Sequence, residues 1–439
     1  MPLKYYISYY GFYIFKYLYC KKYVFRIQLS IEITNSVIQL LWYPAILSSG
    51  IYSVFVIIGI VGFHYKAESV PTRANNVEFI IISQASRKVK NSLLDCISNT
   101  RIQFPWVPLS LVIDEGSELT DLLLRLVNVT QQQITTTNII DSTVAHQKKS
   151  IIARQRDTSK DLKIIVVPDR YRKDLVGKGR AINYFIDGYV IDENKWYSFI
   201  DDDNIILDDK FLYEIPYYEQ RGYVAFNPSI TARTGNSRFI RIMDFIRKYD
   251  DVTVFRFFTG LLGIPYIGMH GEMLTVKGSV LREIKYDFYS ITEDFRFTAE
   301  LIKRKMKVWQ SKTNVSIKSA NNINDILRQR GRWFKGISLD LKYCPPLMRM
   351  IVTSRMVLWI IAIFGTWALS PLWLSWGIHW QTELFIASGI YPWIIFIYAI
   401  IKNKEPLYCI LFIPLFGILE SISYWFGINN KGFYVIDKN

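Results

Sequence analysis

The sequence predicts an α/β domain with transmembrane helices on its N- and C-terminal sides. Three observations lead there. Long apolar runs without a charged residue lie toward both ends of the chain. Between them, short apolar β-branched runs alternate with helical stretches, the pattern of a parallel sheet buried on both faces. Aspartates directly follow two of those runs, at Asp114 and Asp201, and in open α/β sheets ligands bind beyond the carboxyl ends of the strands. Residues 1–67 therefore read as an N-terminal membrane region, 68–342 as the α/β domain, and 343–439 as a C-terminal membrane region with three spans.

The first element, Tyr5–Cys20, is rich in tyrosine and carries Lys16, which suits an interfacial helix or a span equally. Val37–Phe63 has no charged residue and exceeds the roughly 20 apolar residues a spanning helix needs. It is too long, and too far from the N-terminus, for a cleaved signal peptide. Strands are expected at Val77–Ser83, Leu109–Ile113, Leu162–Val167, Trp196–Ile200 and Tyr223–Phe226, with helical stretches such as Lys88–Ile97 and Ala181–Phe185 among them. Asn128–Asp161, polar and rich in Gln and Thr, reads as an insertion.

Three apolar runs close the chain, Met356–Trp376, Leu384–Ile401 and Leu407–Ile428. The positive-inside rule orients them. With the α/β domain in the cytoplasm, Arg349 and Arg355 lie inside, the uncharged-to-acidic loop His379–Glu383 lies outside, and Lys402 and Lys404 return inside. Lys21, Lys22 and Arg26 run against this scheme, because a single span places them outside.

Composition narrows the function classes. The 439 residues carry a formal charge of +15, which favours acidic partners such as phosphates or anionic lipid. The four cysteines and four histidines are scattered, without a CxxC or HxxxH pair, so neither a disulfide framework nor a zinc site is expected. No nucleic-acid-binding signature accompanies the positive charge. The charge-free membrane runs, Glu420 excepted, argue against a transporter. The non-enzyme alternative is a membrane scaffold with a nucleotide-sensing domain.

Several short segments carry chemistry. In Phe199-Ile200-Asp201-Asp202-Asp203-Asn204 three carboxylates repel one another at a strand end. Asp201 and Asp203 can point the same way because strand side chains alternate with period two. Two such oxygen donors suit Mg²⁺ or Mn²⁺ bridging to phosphates, although a solvated acidic turn has the same composition. Asp114, before a Gly-Ser turn, can accept hydrogen bonds from a base or ribose. Gly177-Lys178-Gly179-Arg180 places two cations in a turn ahead of a helix and can hold phosphates. Thr292-Glu293-Asp294 opens a helix with Thr292 as N-cap. A carboxylate in that first turn is favoured ionised and can accept a proton. Gln329-Arg330-Gly331-Arg332-Trp333 combines guanidinium forks for phosphate with an aromatic face for a sugar ring.

In this order, and between membrane runs, these segments resemble the family 2 glycosyltransferases, above all the cellulose, chitin and hyaluronan synthases. The resemblance covers about Val77 to Trp333. It implies a GT-A (Rossmann-like) domain that transfers a hexose from a UDP- or GDP-sugar to a glycan or glycolipid acceptor at the lipid bilayer, with inversion. It implies Asp294 as catalytic base, and Asp203 with Asp201 as ligands of Mg²⁺ or Mn²⁺. Asp114, Lys178, Arg180, Asp201 and Arg332 would contact the donor, with Arg330 a further cation for the leaving group. Gln329, Trp333 and His270 would line the acceptor site. A narrower resemblance, in Gly268-Met269-His270-Gly271 and Leu327–Gly336, is to the egghead-type β-1,4-mannosyltransferases, which move a single mannose from GDP-mannose to a glycolipid. Two departures stand out. The first strand ends Ile82-Ser83-Gln84-Ala85, without the family's Pro and acidic pair, and the middle of the DDD segment is acidic.

Overall fold

The computed structural model describes residues 65–125, 162–233, 237–356 and 390–429, with the isolated positions 50, 53, 54 and 57. The expected elements Tyr5–Cys20 and Val37–Phe63, the insertion Asn128–Asp161 and the run Met356–Trp376 lie outside them, apart from those positions and Met356. The loop His379–Glu383 also lies outside, and Leu384–Ile401 is described from Ile390 onward.

Eight strands form one sheet: β1 (Val77–Ser83), β2 (Leu109–Asp114), β3 (Leu162–Val167), β4 (Trp196–Asp201), β5 (Ile205–Ile206), β6 (Tyr223–Arg233), β7 (Leu274–Lys277) and β8 (Lys307–Lys318). Their order is β3-β2-β1-β4-β7-β6-β8-β5. The first four are mutually parallel. β7 then runs antiparallel to both β4 and β6, β6 and β8 are parallel, and β5 is antiparallel to β8. The sheet is therefore mixed, and the expectation of a parallel sheet holds only for its first half. The other half leaves a weak sequence signal for physical reasons. β7 has four residues, too few for a period to show. β8 keeps Gln310, Ser311 and Thr313 buried, engaged by hydrogen bonds such as Gln310 Nε2 to the Asp251 carbonyl (2.9 Å).

Helices cover both faces. They are α1 (Lys90–Gln103), α2 (Gly177–Gly188), α3 (Lys210–Glu219), α4 (Arg238–Asp250), α5 (Gly278–Glu283), α6 (Glu293–Lys303) and α7 (Ile323–Asp340), with a π-helical stretch Asp251–Leu261 after α4. Alternation along β1 divides the core. Phe79 and Ile81 pack with Leu93 of α1 and Phe211 of α3, whereas Ile80 and Ile82 pack with Ile182 and Phe185 of α2 and Phe297 of α6.

Beyond the α/β domain come α8 (Ile390–Lys402), a 3-10 turn at Leu407–Phe412, and α9 (Ile413–Asn429). Their apolar residues Ile395, Phe396, Ile413 and Phe416 belong to the same buried cluster as Phe245 and Tyr249 of α4, so one core runs across residue 342. Leu407–Gly427 is 21 residues long and, by length and composition, able to cross a membrane. It is the one such helix among the described residues. One side of it is buried at Ile413, Phe416, Glu420 and Ser423, while Leu411, Leu415, Trp425 and Phe426 are exposed. α9 crosses α7 where Gly331 meets Gly427, and a Cβ on Gly427 would lie 2.1 Å from the Gly331 carbonyl oxygen.

Candidate active site

β1, β2 and β4 end side by side, with Ser83 opposite Ile113 and Ile82 opposite Asp201. Beyond these ends opens a cavity of about 430 Å³. Asp114, Lys178, Asp201, Asp202, Asp203, His270, Asp294, Gln329, Arg332 and Trp333 all line it. Arg180 alone of the expected site residues does not.

The GKGR segment is not a turn ahead of a helix but the first turn of α2 itself. Its glycines serve packing: Gly177 has a φ of +56°, which favours glycine, and a Cβ on Gly179 would lie 3.2 Å from Glu293 Cβ. Lys178 Nζ donates to Asp201 Oδ1 (2.6 Å) and to the Gly271 carbonyl (2.8 Å). Burial would strip its proton, but Asp201, Glu293 and Asp294 outweigh that and hold its pKa above the usual lysine value. Arg180 donates to Asp114 Oδ1 (2.8 Å) and to the carbonyls of Tyr171 and Pro168. It fixes the strand-end aspartate and does not reach the cavity.

Separate elements hold the three carboxylates of the DDD segment. Asp202 accepts from Ser83 Oγ (2.7 Å), and Asp203, only 3% exposed, accepts from the backbone N–H of Lys318 (3.3 Å). Among the described residues no cluster of three or more acidic, His or Cys side chains could hold a metal ion. Asp201 and Asp203 nonetheless supply hard oxygen donors at the cavity wall, and a divalent ion bound by one or two carboxylates completes its shell with water and substrate phosphate. The donor set fits Mg²⁺ or Mn²⁺ on those terms.

Thr292 occupies the N-cap position of α6, yet its hydroxyl makes no cap hydrogen bond. It donates instead to Asp340 Oδ2 (3.2 Å) at the end of α7, tying the TED segment to that helix. Asp294 Oδ1 accepts from the Phe295 N–H (2.8 Å). Burial and then the Glu272 carboxylate raise the Asp294 pKa to about 6. Burial and then Asp294 push Glu293 further, to about 8. A carboxyl raised in this way is matched to accepting a proton near neutral pH. Gly271 makes the close approach possible, since a Cβ there would lie 3.2 Å from both Asp294 Oδ2 and Lys178 Nζ.

His270 is clamped by Asn227, whose side chain bonds both the His270 carbonyl (2.7 Å) and its N–H (3.2 Å). Its ring nitrogens lie 3.2 Å from Asp251 Oδ1 and 3.2 Å from Glu272 Oε2. Neither is aligned for a hydrogen bond, so both contacts are electrostatic. Burial lowers its pKa, but the two carboxylates prevail and raise it to about 10, so His270 is a cation on the cavity wall. On α7, Arg330 is 3% exposed and is committed to Asp244 and to Glu420 of α9 (3.1 Å). It therefore lacks the freedom expected of a ligand for a leaving phosphate. The guanidiniums of Arg330 and Arg247 lie 4.6 and 4.8 Å from the Trp333 ring centroid, a cation–π arrangement that orients the indole. Sequence reasoning missed Arg247, Asp251 and Glu272. Their one signal is ionisable groups in or beside apolar stretches, and the contacts that join α4 and the π-helical stretch to the loop before β7, Arg247 with Glu272 and Asp251 with His270, span about 20 residues.

The family model described as glycosyl transferase family group 2 matches residues 196–419, just over half of the chain, from β4 into α9. The chain belongs to that family. As a family 2 glycosyltransferase it uses a nucleotide sugar, and its mixed α/β sheet fits the GT-A fold. Among curated proteins, no sequence matches the chain. Solved structures similar to this glycosyltransferase include the mannosyltransferase PcManGT from Pyrobaculum calidifontis in complex with GDP-Man and Mn²⁺, at 14% identity, covering 89% of this chain and 97% of that one, with a TM-score of 0.48. Another is S. aureus TarS 1–349, at 12% identity over 83% of this chain and 95% of that one, with a TM-score of 0.38.

Proposed function

We propose that this glycosyltransferase moves a hexose from a UDP- or GDP-linked donor to a membrane-associated acceptor, with inversion at the anomeric carbon. One observation carries the proposal: the DDD, TED and QRGRW segments and Lys178, far apart in sequence, line a single cavity at the carboxyl edge of the strands. In a single displacement the acceptor hydroxyl oxygen bonds to the anomeric carbon as the bond to the diphosphate oxygen breaks. Asp294 takes the hydroxyl proton, and the nucleoside diphosphate leaves with its electron pair. Asp203 and Asp201 would hold Mg²⁺ or Mn²⁺, which supplies positive charge against the leaving diphosphate. Lys178 and Arg332 add fixed cations on the same wall. Asp114, held by Arg180, faces the nucleotide. Gln329, Trp333 and the His270 cation face the acceptor. The apolar runs at both ends anchor the chain, with residues 68–342 on the cytoplasmic side.

The test is a panel of UDP- and GDP-sugars with native membranes as acceptor source, with product sizing to separate one added sugar from a growing β-linked polysaccharide. Mg²⁺ or Mn²⁺ is expected to be required, and Asp203→Asn is expected to abolish most turnover. Full activity in excess chelator would remove the metal from the scheme, and no turnover with any donor would remove the proposed reaction.

A further inference from the structure

We infer that the last apolar run does not cross the bilayer: α9 lies in the plane of the membrane, one face on the catalytic domain and the other on lipid, with the C-terminus on the same side as that domain. This rests on the proposed membrane anchoring, but not on which side the domain faces.

Three independent observations carry it. First, both ends of the run touch the catalytic domain. At the start, Glu405 pairs with Arg238 of α4 (2.8 Å) and with Arg241, and Phe412 and Phe416 pack on Phe239 at 5.6 and 4.8 Å between ring centroids. At the end, Gly427 abuts Gly331 and Tyr424 packs on Phe334 of α7 at 5.3 Å. A helix crossing the bilayer carries one of its ends away from a domain that sits on one side. Second, Glu420, the ionisable residue within the run, faces Arg330 of α7 and is 5% exposed. A carboxylate midway along a span is costly unless buried in protein, and here the protein that buries it is the catalytic helix itself. Third, the residues beyond α9 include Lys431 and Lys438. Three C-terminal spans would place both lysines on the side opposite Lys402 and Lys404. An in-plane α9 keeps all four together, as the positive-inside rule favours.

The exposed face of the run carries Tyr408, Leu411, Leu415, Trp425 and Phe426. It is apolar along its length and has an aromatic residue near each end, which suits the headgroup boundary. The neighbouring apolar runs bring the bilayer to this place in the chain, so lipid is the occupant of this face.

Two experiments on the full chain test this. Topology reporters placed after Lys342 and after Asn439 are expected to read out on the same side; opposite sides would overturn the inference. If both read out on the far side, the inference stands and the cytoplasmic orientation fails. In the second, the wild-type protein is reconstituted in vesicles containing a phospholipid with a diazirine near its glycerol backbone. Photolysis is expected to label Leu411, Leu415, Trp425 or Phe426. Absence of lipid adducts on this face would overturn the lipid contact.

Discussion

At Asp294 the choice between two adjacent carboxylates is a matter of proton affinity. Burial raises both carboxyls above their ordinary values, Glu293 further than Asp294, which leaves Asp294 the more readily ionised of the two. Asp294→Asn preserves size and the hydrogen bond from Phe295 but cannot take a proton. It is expected to lower kcat by a factor of about 10²–10⁴ while nucleotide binding, followed calorimetrically with UDP and GDP, is retained. Glu293→Gln is expected to keep more of the rate. The sign of the pH dependence follows from the raised pKa. The base is active when ionised, so kcat falls as pH drops through about 6, and this limb persists in Glu293→Gln. A limb that vanished with Glu293→Gln would transfer the role to that residue. Asp114 and Asp201 were legible in the sequence because each ends an apolar strand. Glu272, which helps set the Asp294 pKa, was not, because Arg247, which pairs with it, reaches it only through the folding of α4 against the loop before β7.

Among the elements, α7 carries the greatest constraint. Its QRGRW segment is placed by Thr292 at Gly336, where a Cβ would lie 2.6 Å from the threonine methyl, and by Gly427 of α9 at Gly331. These contacts involve backbone or a short, buried side chain, which cannot move aside. Gly427→Ala is therefore expected to destabilise the protein by about 1–3 kcal/mol, seen as a lower Tm in detergent. It is also expected to reduce turnover, because Arg332 and Trp333 shift with α7. An unchanged Tm and rate would mean that the two helices separate easily. The first four strands were readable from apolar runs of five to seven residues. The packing of α9 on α7 was not readable, because length and hydropathy do not report which neighbour a face is buried against, and Gly331 and Gly427 lie 96 positions apart in the numbering.

For the whole molecule, the proposed orientation follows the distribution of Lys and Arg around the C-terminal runs. Lys402 and Lys404 directly precede Glu405, which pairs with Arg238 and Arg241, so the proposed topology has to keep this loop and the catalytic domain on one side. A reporter after Lys342 is expected in the cytoplasm. The sequon Asn314-Val315-Ser316 is expected to carry no glycan in the mature protein, as judged by mass spectrometry. Its asparagine side chain is already engaged, with Nδ2 donating to Asp208 (3.3 Å) and to the Lys312 carbonyl (3.3 Å). A glycan at Asn314 would place the domain in the lumen. The order of the motifs along the chain made the overall architecture legible, whereas the sharing of one core between the catalytic domain and the C-terminal helices left no trace in composition.

That shared core bears on how the protein can be handled. Residue 342 looks like a natural place to cut a soluble fragment, since polar sequence gives way to apolar sequence soon after it. Removing α8 and α9 would lay bare the side of α4 that carries Phe245 and Tyr249, both at most 3% exposed in the intact chain. It would also leave Arg330 with one of its two carboxylates. Such a fragment would aggregate through a surface that the native protein never shows to water. Preparations meant for kinetics or ligand screening need to run through α9, with detergent or lipid covering its outer face.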